Sequence, residues 1–147
     1  MFTNLNEDLT TQFLNLFYNA LAPDGLLVFT THGRYVVDRL RSGQFSYGLD
    51  KADIPGLLAD YDRTGYGFRC YPQELLQEHF SVDMGTYGIA LHHPAWVFQQ
   101  LLKLADTRLL TFTERGWDDH QDMVSCVRTR PPISSLLSKL RVYTPNR

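Results

Sequence analysis

The sequence predicts an α/β fold because amphipathic helical segments alternate with short apolar strands. The first helix is predicted over Leu5 to Leu21, where apolar residues recur at spacings of three and four. The turn Pro23-Asp24-Gly25 ends this helix, and the apolar run Leu26 to Thr31 follows it. Alternation cannot explain that run, which is typical of a strand buried on both faces and hence of a parallel sheet.

The first helix carries its own start signals. Asn4 or Asn6 can cap it, and Glu7 and Asp8 place negative charge in the first turn, where the helix dipole favours it. One face of this helix is therefore expected to pack on the core. Its apolar residues are Leu9, Phe13, Leu16, Phe17 and Leu21.

Periodicity weakens after His32, and residues 34–86 are interpreted as an insertion or substrate-side region built of loops and short elements. Only two short helices are predicted there, near Arg34 to Leu40 and Gln73 to Phe80. Regular structure resumes at Pro94, which suits a first helical position. An apolar face continues from that proline to Ala105.

Two strands are predicted to close the domain as an antiparallel pair. They cover Leu109 to Thr113 and Asp122 to Thr129, and the polar loop Glu114 to Gln121 joins them. After Pro131-Pro132, the segment Ile133 to Val142 is predicted to be an amphipathic helix. Residues 131–147 carry Lys139, Arg141 and Arg147 and no acidic residue, so they are interpreted as a basic tail separate from the domain over residues 1–130.

Composition excludes several classes of protein. The chain has 147 residues and a formal net charge of -2, which is too near neutral for a general nucleic-acid binder. No apolar run approaches the roughly 20 residues that span a bilayer. The start lacks a signal peptide, and Cys70 and Cys126 form no CxxC pair, so we expect a cytoplasmic protein without a structural metal site.

Several segments resemble the second half of class I S-adenosylmethionine-dependent methyltransferases. The first is Phe2-Thr3-Asn4-Leu5, followed by a helix, Leu21-Ala22-Pro23-Asp24-Gly25 and the strand that ends in His32-Gly33. In that family an FTHL-like segment leaves the fourth strand, and an LxPGG turn leads into the fifth. Tyr87 to Val97 and the two closing strands also look like the family.

The resemblance implies the later half of a doubly wound, mostly parallel Rossmann-like sheet with an antiparallel final strand. The family's glycine-rich cofactor loop and the acidic residue after its second strand have no counterpart in this sequence. We therefore expect a partial methyltransferase domain whose partner is the missing N-terminal half or a second copy of the chain. Met1 is then an internal methionine or a mistaken start.

The implied activity is methyl transfer from S-adenosylmethionine to an oxygen or nitrogen of a small-molecule or sugar acceptor. Phe2 and Thr3 would retain part of the cofactor crevice, and the fragment alone is expected to be inactive. The alternative is a non-catalytic remnant or binding module that docks on a partner chain. No nucleophile elbow or P-loop supports a hydrolase or a nucleoside triphosphatase.

The resemblance also places candidate site residues at one rim of the sheet, since ligands bind beyond the carboxyl ends of parallel strands. Thr31 and His32 follow the fifth strand, and His32 is the first candidate for a general base. His120 is the second. The alternative for His32 is a histidine that satisfies loop backbone groups.

The same rim should receive the loop after the sixth strand, since the family's sixth strand is parallel to the rest and its seventh antiparallel. Trp117, Asp118 and Asp119 are therefore substrate-side candidates, with a solvated acidic loop as the alternative. Tyr66 and Tyr87 fit a substrate pocket or lid, or a small satellite core. His92 could reach a substrate, although capping of the next helix fits one of His92 and His93 better.

Overall fold

A computed structural model describes residues 2–72 and 87–130, which form four α-helices, five strands and a 3₁₀ turn over Phe2–Asn4. The predictions for Gln73 to Phe80 and for the tail lie outside these residues. None of the described helices is long and apolar enough to cross a membrane. The helices are α1 (Glu7–Ala20), α2 (Arg34–Arg41), α3 (Ile54–Thr64) and α4 (Pro94–Leu102). The strands are β1 (Leu26–Thr31), β2 (Tyr66–Cys70), β3 (Gly88–His92), β4 (Thr107–Trp117) and β5 (Gln121–Arg128).

The main sheet has the strand order β1-β5-β4, and β5 is antiparallel to both neighbours. The antiparallel pair predicted near the end of the domain is confirmed. The prediction of a mostly parallel sheet is not supported, because every strand pair in the described residues is antiparallel. A second sheet, β2-β3, is a two-stranded antiparallel pair.

Strand β1 has the predicted bounds, but in the described residues it is an edge strand whose one neighbour is antiparallel, so the expectation of a central parallel strand is not supported. Its register pairs Leu26 with Val127 and Thr31 with Asp122. Leu26 and Val28 are 55% and 51% exposed, whereas Phe29 on the opposite face is buried. The apolar residues of β1 therefore alternate between a covered and an uncovered face of the sheet. An unbroken apolar run does not by itself indicate that both faces of a strand are buried.

Helix α1 begins as predicted, because the Asn6 side chain accepts a hydrogen bond from the Leu9 amide at 2.9 Å. The buried stripe differs from the predicted one. Leu14 and Tyr18 are buried, while Leu16 is 58% exposed. Phe13 and Phe17 are also exposed, so this helix carries a second apolar face that no described residue covers completely.

The predicted insertion contains more regular structure than the sequence suggested. Helix α2 is confirmed, but α3 and β2 were missed. Pro55 and Gly56 resemble helix breakers, yet a proline in the first turn of a helix costs no hydrogen bond. Helix α3 ends at Thr64, and Gly65 caps it with a positive φ of 79° that favours glycine.

Strand β3 separates two apolar cores. Ala90 belongs to the core between α1, α4 and the main sheet, and Ile89 and Leu91 belong to the core under α2 and α3. The His92 amide donates a hydrogen bond to the His32 carbonyl oxygen at 2.8 Å. This bond holds the end of β3 against the end of β1.

Candidate functional site

Three strand ends meet at one rim of the molecule. Thr31 ends β1, His92 ends β3, and Asp122 lies at the start of β5, directly opposite Thr31 in the strand register. The turn between β4 and β5 joins the same rim, since the His120 ring centroid lies 5.5 Å from that of His32. The two histidines that the sequence analysis placed at one rim therefore lie side by side, and the binding of a ligand there stays a prediction.

Buried polar atoms without hydrogen-bond partners concentrate at this rim. They are Thr31 Oγ1, His32 Nδ1, both ring nitrogens of His92, and Asp122 Oδ2. Each of these residues is at most 7% exposed. An unpaired buried polar group costs about 1–3 kcal/mol, so a group of them is typical of a place that receives water or a ligand.

Aromatic and basic side chains surround the two histidines. The Tyr47 ring lies 5.5 Å from His120 and 6.2 Å from His32, and Tyr35 lies 5.7 Å from His120. Arg39 on α2 donates a hydrogen bond to the Tyr35 hydroxyl at 3.2 Å. The result is a histidine cluster with a planar, partly cationic wall.

Burial keeps the imidazoles of this rim neutral near pH 7. Desolvation, with a contribution from His120, lowers the pKa of His32 to about 4. Desolvation, with a contribution from His32, lowers the pKa of His92 to about 3. Burial and the nearby Arg39 also lower the pKa of His120. A neutral imidazole can accept a proton, and His32 Nδ1 has no partner among the described residues.

Asp122 is the carboxyl group most closely built into the site. The Arg115 amide donates a hydrogen bond to its Oδ1 at 3.0 Å, and burial raises its pKa. Oδ2 lies against Gly33, where any Cβ would overlap it. Position 33 therefore requires a glycine because a larger residue would collide with the Asp122 carboxylate. The backbone itself does not require glycine, since its φ is -101°.

This contact predicts that Gly33→Ala destabilises the chain by about 1–3 kcal/mol, because the added methyl group must displace the carboxylate. Urea unfolding at pH 7 measures the effect. Asp122→Ala removes the carboxylate, so the double variant should be less destabilised than the sum of the two single variants. Strict additivity would contradict the proposed contact.

The turn predicted as a substrate-side loop is shorter than expected, because β4 extends to Trp117 and includes Glu114 and Arg115. Asp118 and Asp119 have φ values of 53° and 50°, in the left-handed region that non-glycine residues rarely adopt. Asp119 forms an ion pair with Arg115. The described residues contain no group of His, Cys, Asp and Glu side chains arranged to hold a metal ion.

Tyr87 lies away from this rim, whereas the Tyr66 and His92 side chains are buried beneath it. The Tyr66 hydroxyl donates to the Leu5 carbonyl oxygen at 2.6 Å, and its ring packs between His92 and Trp96. Tyr87 packs against the Tyr71 ring at 5.6 Å. His92 is 1% exposed, so its side chain faces the interior. Its neighbour His93 caps α4, as expected, by accepting a hydrogen bond from the Ala95 amide at 3.2 Å.

Phe2 and Thr3, the candidate cofactor residues, do not form a site that fits S-adenosylmethionine. Phe2 is buried, with its ring 5.0 Å from Phe29, and the Thr3 hydroxyl donates to Asn4 Oδ1 at 2.8 Å. A groove of about 480 Å³ beside Thr3 extends to Trp117. Its lining in the described chain has no charged side chain, so no carboxylate there could hold the ribose hydroxyls.

Sequence reasoning missed four contributors to the rim. Tyr35 and Arg39 lie on the short helix that begins two residues after His32, and this position was the signal that could have found them. Asp122 was assigned only to a strand. Tyr47 occupies an irregular segment at a φ of 53°, and no sequence pattern indicated that it folds back onto His120.

Comparison with known proteins supplies no identity for this arrangement. No protein-family model, curated protein or solved structure matches the chain.

Proposed function

We propose that the chain supplies the acceptor-binding side of a class I S-adenosylmethionine-dependent methyltransferase. The proposal rests mainly on one observation. Buried polar atoms without hydrogen-bond partners are concentrated at the end of β1, beside the neighbouring imidazole rings of His32 and His120. In the methyltransferase family that the sequence resembles, the acceptor binds at the corresponding rim of the sheet. The cofactor would be held by residues outside the described ranges, because the groove beside Thr3 does not fit it.

The strand directions support this proposal. Strands β1 and β4 are both antiparallel to β5, so they run in the same direction as each other. The resemblance implies that relation for the fifth, sixth and seventh strands. Among the described residues, β1 pairs with one strand only. Its other edge is the position that the family's fourth strand would occupy, and with it the parallel part of the sheet.

The described residues would bind and orient the acceptor and take up the proton that it loses on methylation. In methyl transfer the cofactor's sulfonium supplies the reactivity, and the protein chiefly aligns the acceptor. His32 Nδ1 is the proton acceptor in this proposal, since it is unpaired and the imidazole is neutral at pH 7. His120 faces the same space and is the alternative acceptor.

The test is methyl transfer from tritiated S-adenosylmethionine into a low-molecular-mass cell extract by a chain extended upstream. His32→Gln should lower the rate about 10²–10⁴-fold, which is the usual contribution of general acid–base catalysis. His93→Asn is the matched control, because asparagine retains the cap of α4. Transfer that survives His32→Gln unchanged would contradict the role of His32.

A binding module remains the second candidate, and uncovered apolar surface favours it. Leu110 and Trp117 are 54% and 59% exposed, on the main sheet that also exposes Leu26 and Val28. Exposed large apolar side chains on a sheet are candidates for a protein interface. An upstream-extended chain that transfers no methyl group, while this surface binds a partner, would favour the second candidate.

A further inference from the structure

The side chains beside His120 form an arginine cage, which we define as Arg39, Tyr35, Phe45, Tyr47 and His120. The Arg39 guanidinium carbon lies 3.5 Å from the Phe45 ring centroid and 5.4 Å from that of Tyr35. Its NH1 group donates to the Tyr35 hydroxyl. Stacking and this hydrogen bond together fix the plane of the guanidinium.

The Arg39 guanidinium has no carboxylate partner among the described residues. Its Nε is buried and has no hydrogen-bond acceptor, and Arg39 makes no ion pair within residues 2–72 and 87–130. Arg34 and Arg115, which lie on the same rim, are paired with Glu114 and Asp119. The cage therefore holds an oriented guanidinium whose positive charge no carboxylate compensates.

The Tyr47 hydroxyl is a second donor in the cage whose proton has no acceptor. The Arg39 guanidinium lies beside this hydroxyl as a donor, but no described residue accepts the hydroxyl proton, and burial raises the pKa of Tyr47, so the hydroxyl stays protonated at neutral pH. Tyr47 also has a φ of 53°, a conformation that is costly for a non-glycine residue. The fold thus holds this hydroxyl beside Arg39 in spite of backbone strain.

We propose that the arginine cage binds the carboxylate of a planar, acidic acceptor whose methylated atom then lies toward His32. A carboxylate matches the fork of a fixed guanidinium, and flat rings suit the aromatic walls. A bound anion would also raise the pKa of the neighbouring imidazoles, which makes His32 a stronger base. This proposal names the acceptor class and rests on the proposed function.

Calorimetric titration of the 147-residue chain with benzoate tests the cage without the cofactor. Benzoate should bind, benzamide should bind at least about tenfold more weakly because it lacks the charge, and inorganic phosphate should compete only weakly because it lacks the ring. Arg39→Gln should weaken benzoate binding about tenfold to a hundredfold, as expected for a charge-assisted hydrogen bond. Arg41→Gln is the control, because Arg41 lies on the same helix but pairs with the exposed Asp62.

Two conservative variants keep the test informative if Arg39→Gln fails to fold. Arg39→Lys retains the charge and loses the planar fork, and Tyr47→Phe retains the ring and loses the hydroxyl. Both should weaken benzoate binding while circular dichroism remains unchanged.

Equal binding of benzoate and benzamide, absence of benzoate binding, or an equal loss in Arg41→Gln would overturn the proposal. Failure of methyl transfer by the extended chain would leave these binding results unaffected and would count against the proposed function alone.

Discussion

Lowering the pH from 7.5 to 5.0 should reduce the free energy of unfolding by about 4 kcal/mol. His32 and His92 have folded-state pKa values of about 4 and about 3, against 6.5 for the exposed side chain. Below pH 6.5 these two histidines bind protons in the unfolded chain, whereas in the folded chain they remain neutral until the pH nears their lowered pKa values. Each histidine therefore contributes stability that is complete above pH 6.5 and is lost progressively as the pH falls toward its folded value, about 2 kcal/mol by pH 5.

Urea unfolding at the two pH values, on the wild type and on His92→Leu, isolates this contribution. The variant should lose about half of the pH dependence, and His32→Gln combined with His92→Leu should lose most of it. Asp122 acts in the opposite direction, because burial raises its pKa and its protonation stabilises the fold near and below that pKa. Its contribution is the same in both chains, so it cancels from the comparison. An unchanged pH dependence in the double variant would contradict the buried neutral imidazoles.

The strands of the main sheet were predictable because their apolar residues and turn chemistry are local signals. Pro23-Asp24-Gly25 fixed the start of β1, and the polar turn at Asp118 separated β4 from β5. Pairing direction was not predictable, because an apolar run does not reveal which face is covered. Val28 is half exposed although its neighbours in sequence are apolar.

The site was predictable in part, for the same physical reason. His32 and His120 adjoin strand ends, and the strand directions implied by the resemblance placed both at one rim. Arg39 required the helix face of α2, and Tyr47 required a left-handed turn that no local signal specifies. The contact between Gly33 and Asp122 joins residues 89 positions apart and appears only when the strands are paired.

The central claim, an acceptor-binding side that needs further residues to hold the cofactor, is tested most directly by calorimetric titration with S-adenosylmethionine. The groove beside Thr3 has no charged side chain in the described residues, and Phe2 is part of the core. We therefore expect no measurable binding by the 147-residue chain. A chain extended upstream through a glycine-rich loop should bind with micromolar affinity. Micromolar binding by the 147 residues themselves, or none by the extended chain, would contradict the account.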